Sequence, residues 1–272
     1  MIQFGKALKL LVPFTFTAVC LFGADGHRSI AIASEDTVFS HIAAGGGWST
    51  TIKLMNLYSL PAAYQLRFYQ DDGTPWNAPF VDGTKSVVSG TIPVNGSVTI
   101  QTLNPAAVST GWAELSYDWS VAVVGGLATF RYNTSAVNRS RESDWEATVP
   151  VSSNTSDHFA LSFDQTVIAD LRSDVAGQPL SFGMAVVNPA SLPADITVVA
   201  WDENGNRLFS QDQVIQLAPK AHTSFLLGEK WPALAGKKGV LEFKVNSGKC
   251  AVLGLRANPT GAVSSVHTID FY

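Results

Sequence analysis

The chain of 272 residues carries 46% hydrophobic and 15% charged side chains, a net charge of −4 and a pI near 5.7. This composition excludes a disordered chain, and the length suits two domains of about 100–150 residues each. The acidic balance excludes nucleic acid as a partner, because no basic stripe is present to neutralise phosphates.

The N-terminus has the layout of a secretory signal. Lys6 and Lys9 precede an apolar run over residues 10–22, and Ala31-Ile32-Ala33 before Ser34 makes an A-x-A cleavage pattern. Residues 1–33 therefore read as a signal peptide, and the rest as a secreted, periplasmic or cell-surface protein that is not integral to a membrane. The apolar run is too short for a span and is interrupted by Pro13, Thr15 and Thr17. Val19 stands before Cys20 where a lipoprotein signal wants a small residue. Loss of Lys6, Lys9, Arg28 and Asp25 takes 18 bases and 22 acids to 15 and 21, a net of −6. It also leaves Cys250 as a single thiol, so no intramolecular disulfide is possible and a buried small hydrophobe is expected there.

Gly45-Gly46-Gly47-Trp48 comes next. Three glycines suit a phosphate-cradling loop, but no Lys-Ser/Thr follows and the run leads into a strand. A close-approach loop is expected, with Trp48 anchoring the strand after it. From there the sequence repeats itself. Residues 52–62 recur as residues 184–194, and residues 64–68 match residues 196–200 without a gap. The turns Asp71-Asp72-Gly73 and Glu203-Asn204-Gly205 match, as do Gly111-Trp112-Ala113-Glu114-Leu115 and Gly239-Val240-Leu241-Glu242-Phe243. Such self-similarity predicts two related domains, residues 34–150 and 151–272.

Almost every segment has strand patterning. Tyr64, Leu66 and Phe68 alternate with Gln65, Arg67 and Tyr69, and Ile196, Val198 and Ala200 with Thr197, Val199 and Trp201. Residues 121–130 and 251–255 are apolar central strands carrying matched Gly126 and Gly254, where a bulge or close backbone approach is expected. Residues 105–108 and 232–235 could each make one helical turn. Trp145-Glu146-Ala147-Thr148-Val149-Pro150 predicts one more strand inside the polar connection, which should pack along one domain. The C-terminal residues 267–272 predict an edge strand.

Sites of chemistry are sparse. Asp202-Glu203-Asn204-Gly205-Asn206 has its glycine too early for a calcium loop and reads as a turn. Lys237-Lys238 lies between glycines and reads as a solvated turn. His41, His158, His222 and His267 show no metal-ligand spacing, and no G-x-S-x-G elbow occurs. Glu114 and Glu242 read as repeated strand residues, not as a carboxylate pair. Of the tryptophans, Trp112, Trp119 and Trp201 fall in or beside core strands, whereas Trp76 and Trp145 are the candidates for an exposed platform. With Trp48, they make up the candidate binding residues.

As a set, these motifs resemble a known group. His41-Ile42-Ala43-Ala44-Gly45-Gly46-Gly47-Trp48-Ser49-Thr50-Thr51, the Gly111 and Trp145 motifs, residues 235–243 and residues 253–262 come in the order found in exported bacterial proteins with tandem Gly-Gly-Gly-Trp-type β-sandwich repeats. The resemblance covers nearly the whole chain after the signal. It implies export and a sandwich fold, and it transfers no functional residues.

The sequence thus predicts an all-β protein of two tandem immunoglobulin-like antiparallel sandwiches, without a cofactor and without catalysis. The leading expectation is a structural or adhesion module that contacts an extracellular protein or glycan. A carbohydrate-binding module built on exposed tryptophans is the alternative. A further alternative is a hydrolase, which a Ser or carboxylate clustered with His between the domains would mark.

Overall fold

The computed structural model describes residues 37–118, 123–133, 145–152, 156–167, 177–259 and 261–271. The expected signal peptide and Trp119 lie outside the described residues. The first half forms strands β1 (Thr37–Ala44), β2 (Trp48–Asn56), β3 (Ala62–Tyr69), β4 (Ala78–Phe80), β5 (Gly83–Lys85), β6 (Val87–Ile92), β7 (Ser97–Gln101), β8 (Ser109–Tyr117), β9 (Val124–Tyr132) and β10 (Trp145–Pro150). They build two antiparallel sheets, ordered β1-β8-β3-β6 and β10-β9-β2-β7, with β4 and β5 as a separate hairpin.

The second half forms β11 (His158–Asp164), β12 (Ser181–Val187), β13 (Ala194–Trp201), β14 (Gln213–Leu217), β15 (His222–Leu226), β16 (Lys238–Ser247), β17 (Ala251–Ala257), β18 (Val263–Val266) and β19 (Ile269–Asp270). Its sheets are ordered β14-β13-β16-β11-β19 and β15-β12-β17-β18. Substituting each strand by its counterpart in the repeat converts one half into the other. Among the described residues the differences are the β4–β5 hairpin, which the second half lacks, and β19, added on the edge of β11 as the expected C-terminal edge strand. The expected strand in the connection is β10, which closes the first sandwich along β9.

Alternation decides what is buried. Tyr64, Leu66 and Phe68 enter one core with Ile52, Leu54 and Phe130 of the facing sheet. Ile196, Val198 and Ala200 enter the other with Phe182, Met184 and Val186. Burial of this apolar surface is the main favourable term for each sandwich.

The repeat also preserves a buried amide. Asn56 Nδ2 donates to the carbonyls of Leu60, Ile92 and Pro93 at 2.8, 3.3 and 3.2 Å. Asn188 Nδ2 donates in the same way to Leu192, Leu217 and Ala218 at 2.7, 3.4 and 3.0 Å. Their Oδ1 atoms accept from the N–H of Tyr58 and Ala190, each at 3.0 Å. Each buried asparagine therefore ties down an exposed turn from below, and pairs the buried Ile92 or Leu217 carbonyl.

Glycines mark three tight places. Gly45, Gly46 and Gly47 all have positive φ, and Gly45 and Trp48 exchange backbone hydrogen bonds of 2.9 and 3.0 Å, so the run is a hairpin turn between β1 and β2. A Cβ at Gly111 or Gly239 would collide with the carbonyl oxygen of Tyr69 or Trp201, the same contact in both copies. Gly126 and Gly254 differ from expectation. Their ladders run without a register shift, and the missing side chain makes room for Phe39 and Leu54, or for Phe182 and Leu161.

One of the two expected helical turns forms, a 3-10 turn at Pro232–Leu234 preceded by α1 (Leu227–Lys230). Residues 105–108 are not helical, because the Pro105 carbonyl instead accepts the Gly46 N–H at 2.8 Å. Both sandwiches belong to one compact unit, residues 31–272.

Candidate functional site between the sandwiches

The loop before β15 docks the two sandwiches. Lys220 sits in it with φ of 59°, at the position where the first copy has Asn95 with φ of 53°. Asparagine tolerates this left-handed backbone, whereas lysine does so at a cost. What Lys220 gains is a set of contacts across the junction. Its carbonyl accepts the Trp112 Nε1–H at 2.8 Å, and its ammonium lies 3.2 Å from both Glu114 carboxylate oxygens. The ammonium also lies 5.6 and 5.8 Å from the Tyr69 and Trp112 ring centres, and those rings stack at 4.7 Å. Tyr69 Oη donates to Glu114 at 3.1 Å; burial and the Glu114 charge together push the phenol up to about 12. Beneath this, Trp112, Val38, Val187 and Ala251 form a small buried cluster that joins the halves.

The equivalent place in the second copy has diverged. Glu242 accepts from Trp201 Nε1 at 2.9 Å and lies 2.9 Å from His158 Nε2 and 3.0 Å from Lys244 Nζ. Burial opposes its ionisation, but these hydrogen bonds outweigh burial and hold the carboxyl down at about 2. Glu114 and Glu242 are thus matched strand residues in separate sandwiches, each with its own partners.

The structure brings together three residues that show no pattern in the sequence. A β-bulge between Phe39 and Ile42 lets both enter the core and turns His41 towards the second sandwich. His41 Nδ1 lies 3.3 Å from His222 Nε2, and His222 Nδ1 lies 2.9 Å from Asp71 Oδ1. The His222 backbone N–H also donates to the Asp71 carbonyl at 2.9 Å. Burial above all, then the neighbouring His222, pushes the His41 pKa down to about 3, against the opposing pull of Asp71. The hydrogen bond from His222 is the main cause of a lowered Asp71 pKa.

His41 and Trp48 roof a cleft of about 300 Å³ whose other walls come from β12, β15 and β17. On the outward face of that sheet, the register places Gly183 between Leu226 and Leu255, and Ala185 between Ser224 and Leu253. Small residues on the central strand and larger ones on its neighbours make a trough along β12. No charged side chain lines it among the described residues.

Two of the three sequence-predicted tryptophans meet nearby. Tyr132 packs between Trp48 and Trp145, with ring centres 4.8 and 5.6 Å away, and both indoles are half-buried. Trp76 corrects the expectation of an exposed platform. It is 5% exposed and packs edge-on against Phe68 at 6.4 Å. The cause is local, since the Trp76 N–H donates to the Phe68 carbonyl at 2.9 Å and folds the segment after the turn back over the end of β3.

Other candidates serve structure. Asp202 spends both carboxylate oxygens inside its own turn, accepting from the N–H groups of Asn204 and Asn206 at 2.8 Å and from Asn206 Nδ2 at 2.9 Å. Cys250 is fully buried in the second core, and burial pushes its thiol well above the ordinary range. No helix among the described residues is long and apolar enough to cross a membrane.

No family model and no curated protein matches the chain. Among solved structures, the YadV chaperone is similar over 86% of this chain and 100% of its own, at 13% identity and a TM-score of 0.19. A "putative secreted protein" from Parabacteroides distasonis is similar over 90% of this chain and 86% of its own, at 10% identity and a TM-score of 0.21. Likenesses at these scores carry no argument about function.

Proposed function

We propose that the chain is an exported, non-catalytic structural and adhesion module: two sandwiches held as one rigid body that contacts an extracellular protein or glycan. The observation that carries this reading is the junction, where Lys220 of the second half meets Trp112 and Glu114 of the first through partly buried polar and cation–ring contacts. Rigid spacing is what such a junction provides. A contact surface is also on hand. Leu57, Tyr58 and Leu60 are 82%, 41% and 50% exposed on the turn that Asn56 holds from below. An apolar tip on a fixed turn suits protein contact. The test is fractionation with surface labelling, which should find the chain outside the cytoplasm; a strictly cytoplasmic protein, or one with robust hydrolase turnover, contradicts the proposal.

The row Trp48–Tyr132–Trp145 favours glycan binding as a second reading, now without Trp76. On a glycan array, binding should be lost when both Trp48 and Trp145 become alanine. The Asp71–His222–His41 chain is the carboxylate-with-histidine cluster that a hydrolase would need. However, an imidazole whose pKa lies near 3 is a weak base at neutral pH, and no hydroxyl or thiol hydrogen-bonds it among the described residues. Those two facts support binding over catalysis.

A further inference from the structure

The joint between the sandwiches uses two faces that each occur twice in the molecule. Its buried cluster sets Val38 and Trp112 of the first sandwich against Val187 and Ala251 of the second. The strand ladders identify the equivalents. Val38 pairs with Glu114 as Ala160 does with Glu242, and Trp112 with Tyr69 as Val240 does with Trp201. Val187 pairs with Ala251 as Met55 does with Gly125. Their chain neighbours Leu161, Leu241, Leu54 and Val124 enter the cores, so Ala160 and Val240 lie on one outward face and Met55 and Gly125 on another. None of these four places carries a charge.

What is filled in one copy is open in the other. Trp112 and Ala251 are buried, whereas Val240 is 37% exposed and an added Cβ at Gly125 meets nothing within 4 Å among the described residues. An added Cβ at Gly73 collides with the Pro219 carbonyl of the docked loop. At Gly205, the same turn in the second copy, it again meets nothing. A cleft of about 660 Å³ opens there, lined by Glu203 and Val240 among others. The polar contact has equivalents too. Asp71 lies 2.9 Å from His222 Nδ1 across the joint. Their counterparts are Glu203, an exposed carboxylate, and Ser97, an exposed hydroxyl able to donate to it.

We infer that the two open faces bind each other between copies of this chain: the β2–β9 face of one first sandwich docks on the β11–β16 face of the next copy's second sandwich. A second copy is the partner because it carries the face whose fit to this scaffold the joint already displays, with apolar residues opposite apolar ones and a hydroxyl opposite a carboxylate. The contact is heterologous, so each added copy presents a fresh face and growth passes beyond a dimer. Trp112 and Lys220 are replaced by Val240 and Asn95. The contact between chains is therefore weaker than the joint within one, and reversible. Export and adhesion to other molecules do not depend on it, so its test can fail while that reading stands.

Sedimentation of the whole protein, in a series from micromolar to millimolar, should show a weight-average mass that climbs past that of a dimer. Gly125→Arg and Val240→Arg each place a charge on one face, and both should melt at the temperature of the unaltered protein. Each alone should weaken self-association by about tenfold or more. Mixed, they should associate again and stop at one copy of each, because Val240→Arg keeps its first-sandwich face and Gly125→Arg its second. A monomer throughout the series would leave these faces to other partners and overturn the assignment. So would a dimer that grows no further, or a mixture of the two folded variants that stays monomeric.

Discussion

Asn56 and Asn188 show how much one side chain can carry. Each amide is fully buried and supplies donors to carbonyls at two separate turns. Either replaced by alanine should lose about 1–3 kcal/mol in urea unfolding, because the turn loses its tether and the Ile92 or Leu217 carbonyl stays buried without a donor. The sequence showed that the asparagines recur but not what they bond, since their acceptors are backbone groups from distant residues. Cys250 was legible, and it should resist thiol reagents in the native protein and react only on unfolding. His41 was not, because the bulge that re-aims it depends on pairing with β8. Its folded pKa lies near 3 against an ordinary 6.5. Between those values the unfolded chain binds the proton and the folded chain does not, so stability is full above about pH 6.5 and declines towards pH 3. The slope is at most about 1.4 kcal/mol per pH unit for one proton. Asp71 and Glu242, whose carboxyls are held down, add losses only below their ordinary values of 3.8 and 4.5. Urea midpoints should therefore fall from about pH 7 to pH 5 in the unaltered protein, and fall less in His41→Gln.

At the scale of elements, alternation made strands such as β3 readable, because one of its faces is buried and period-two patterning follows directly, whereas β1 and β8 are buried on both faces. Strand order was readable only as a repeat: once one copy has an order, the other is expected to share it. What escaped were segments decided by single backbone hydrogen bonds that no side-chain pattern records. Residues 105–108 are drawn off a helical turn by the Gly46 N–H, and Trp76 is pulled inward by a backbone bond to β3. Close approach at Gly111 gives a sharp check. Gly111→Ala should cost about 1–3 kcal/mol by forcing β3 and β8 apart. Gly125→Ala, with nothing within 4 Å of the new methyl group, should cost much less in the same denaturation assay.

The whole molecule depends on residues that the two copies do not share. Trp112 faces Val240 in the repeat, and Lys220 faces Asn95, so the docking surface comes from divergence laid over a common scaffold. This is why the repeat predicted two sandwiches but not how they are joined. The halves meet through a buried indole and through Lys220, which pairs with Glu114 and lies over the Tyr69 and Trp112 rings, and a large buried side chain such as Trp112 is worth about 3–5 kcal/mol on truncation. Its loss should uncouple the sandwiches while leaving each core intact, since Trp112 belongs to neither of the two large clusters. Differential scanning calorimetry tests this most directly. A rigid pair predicts one cooperative transition for the unaltered protein and two resolved transitions for Trp112→Ala. Two transitions in the unaltered protein, unmoved by that substitution, would contradict the account.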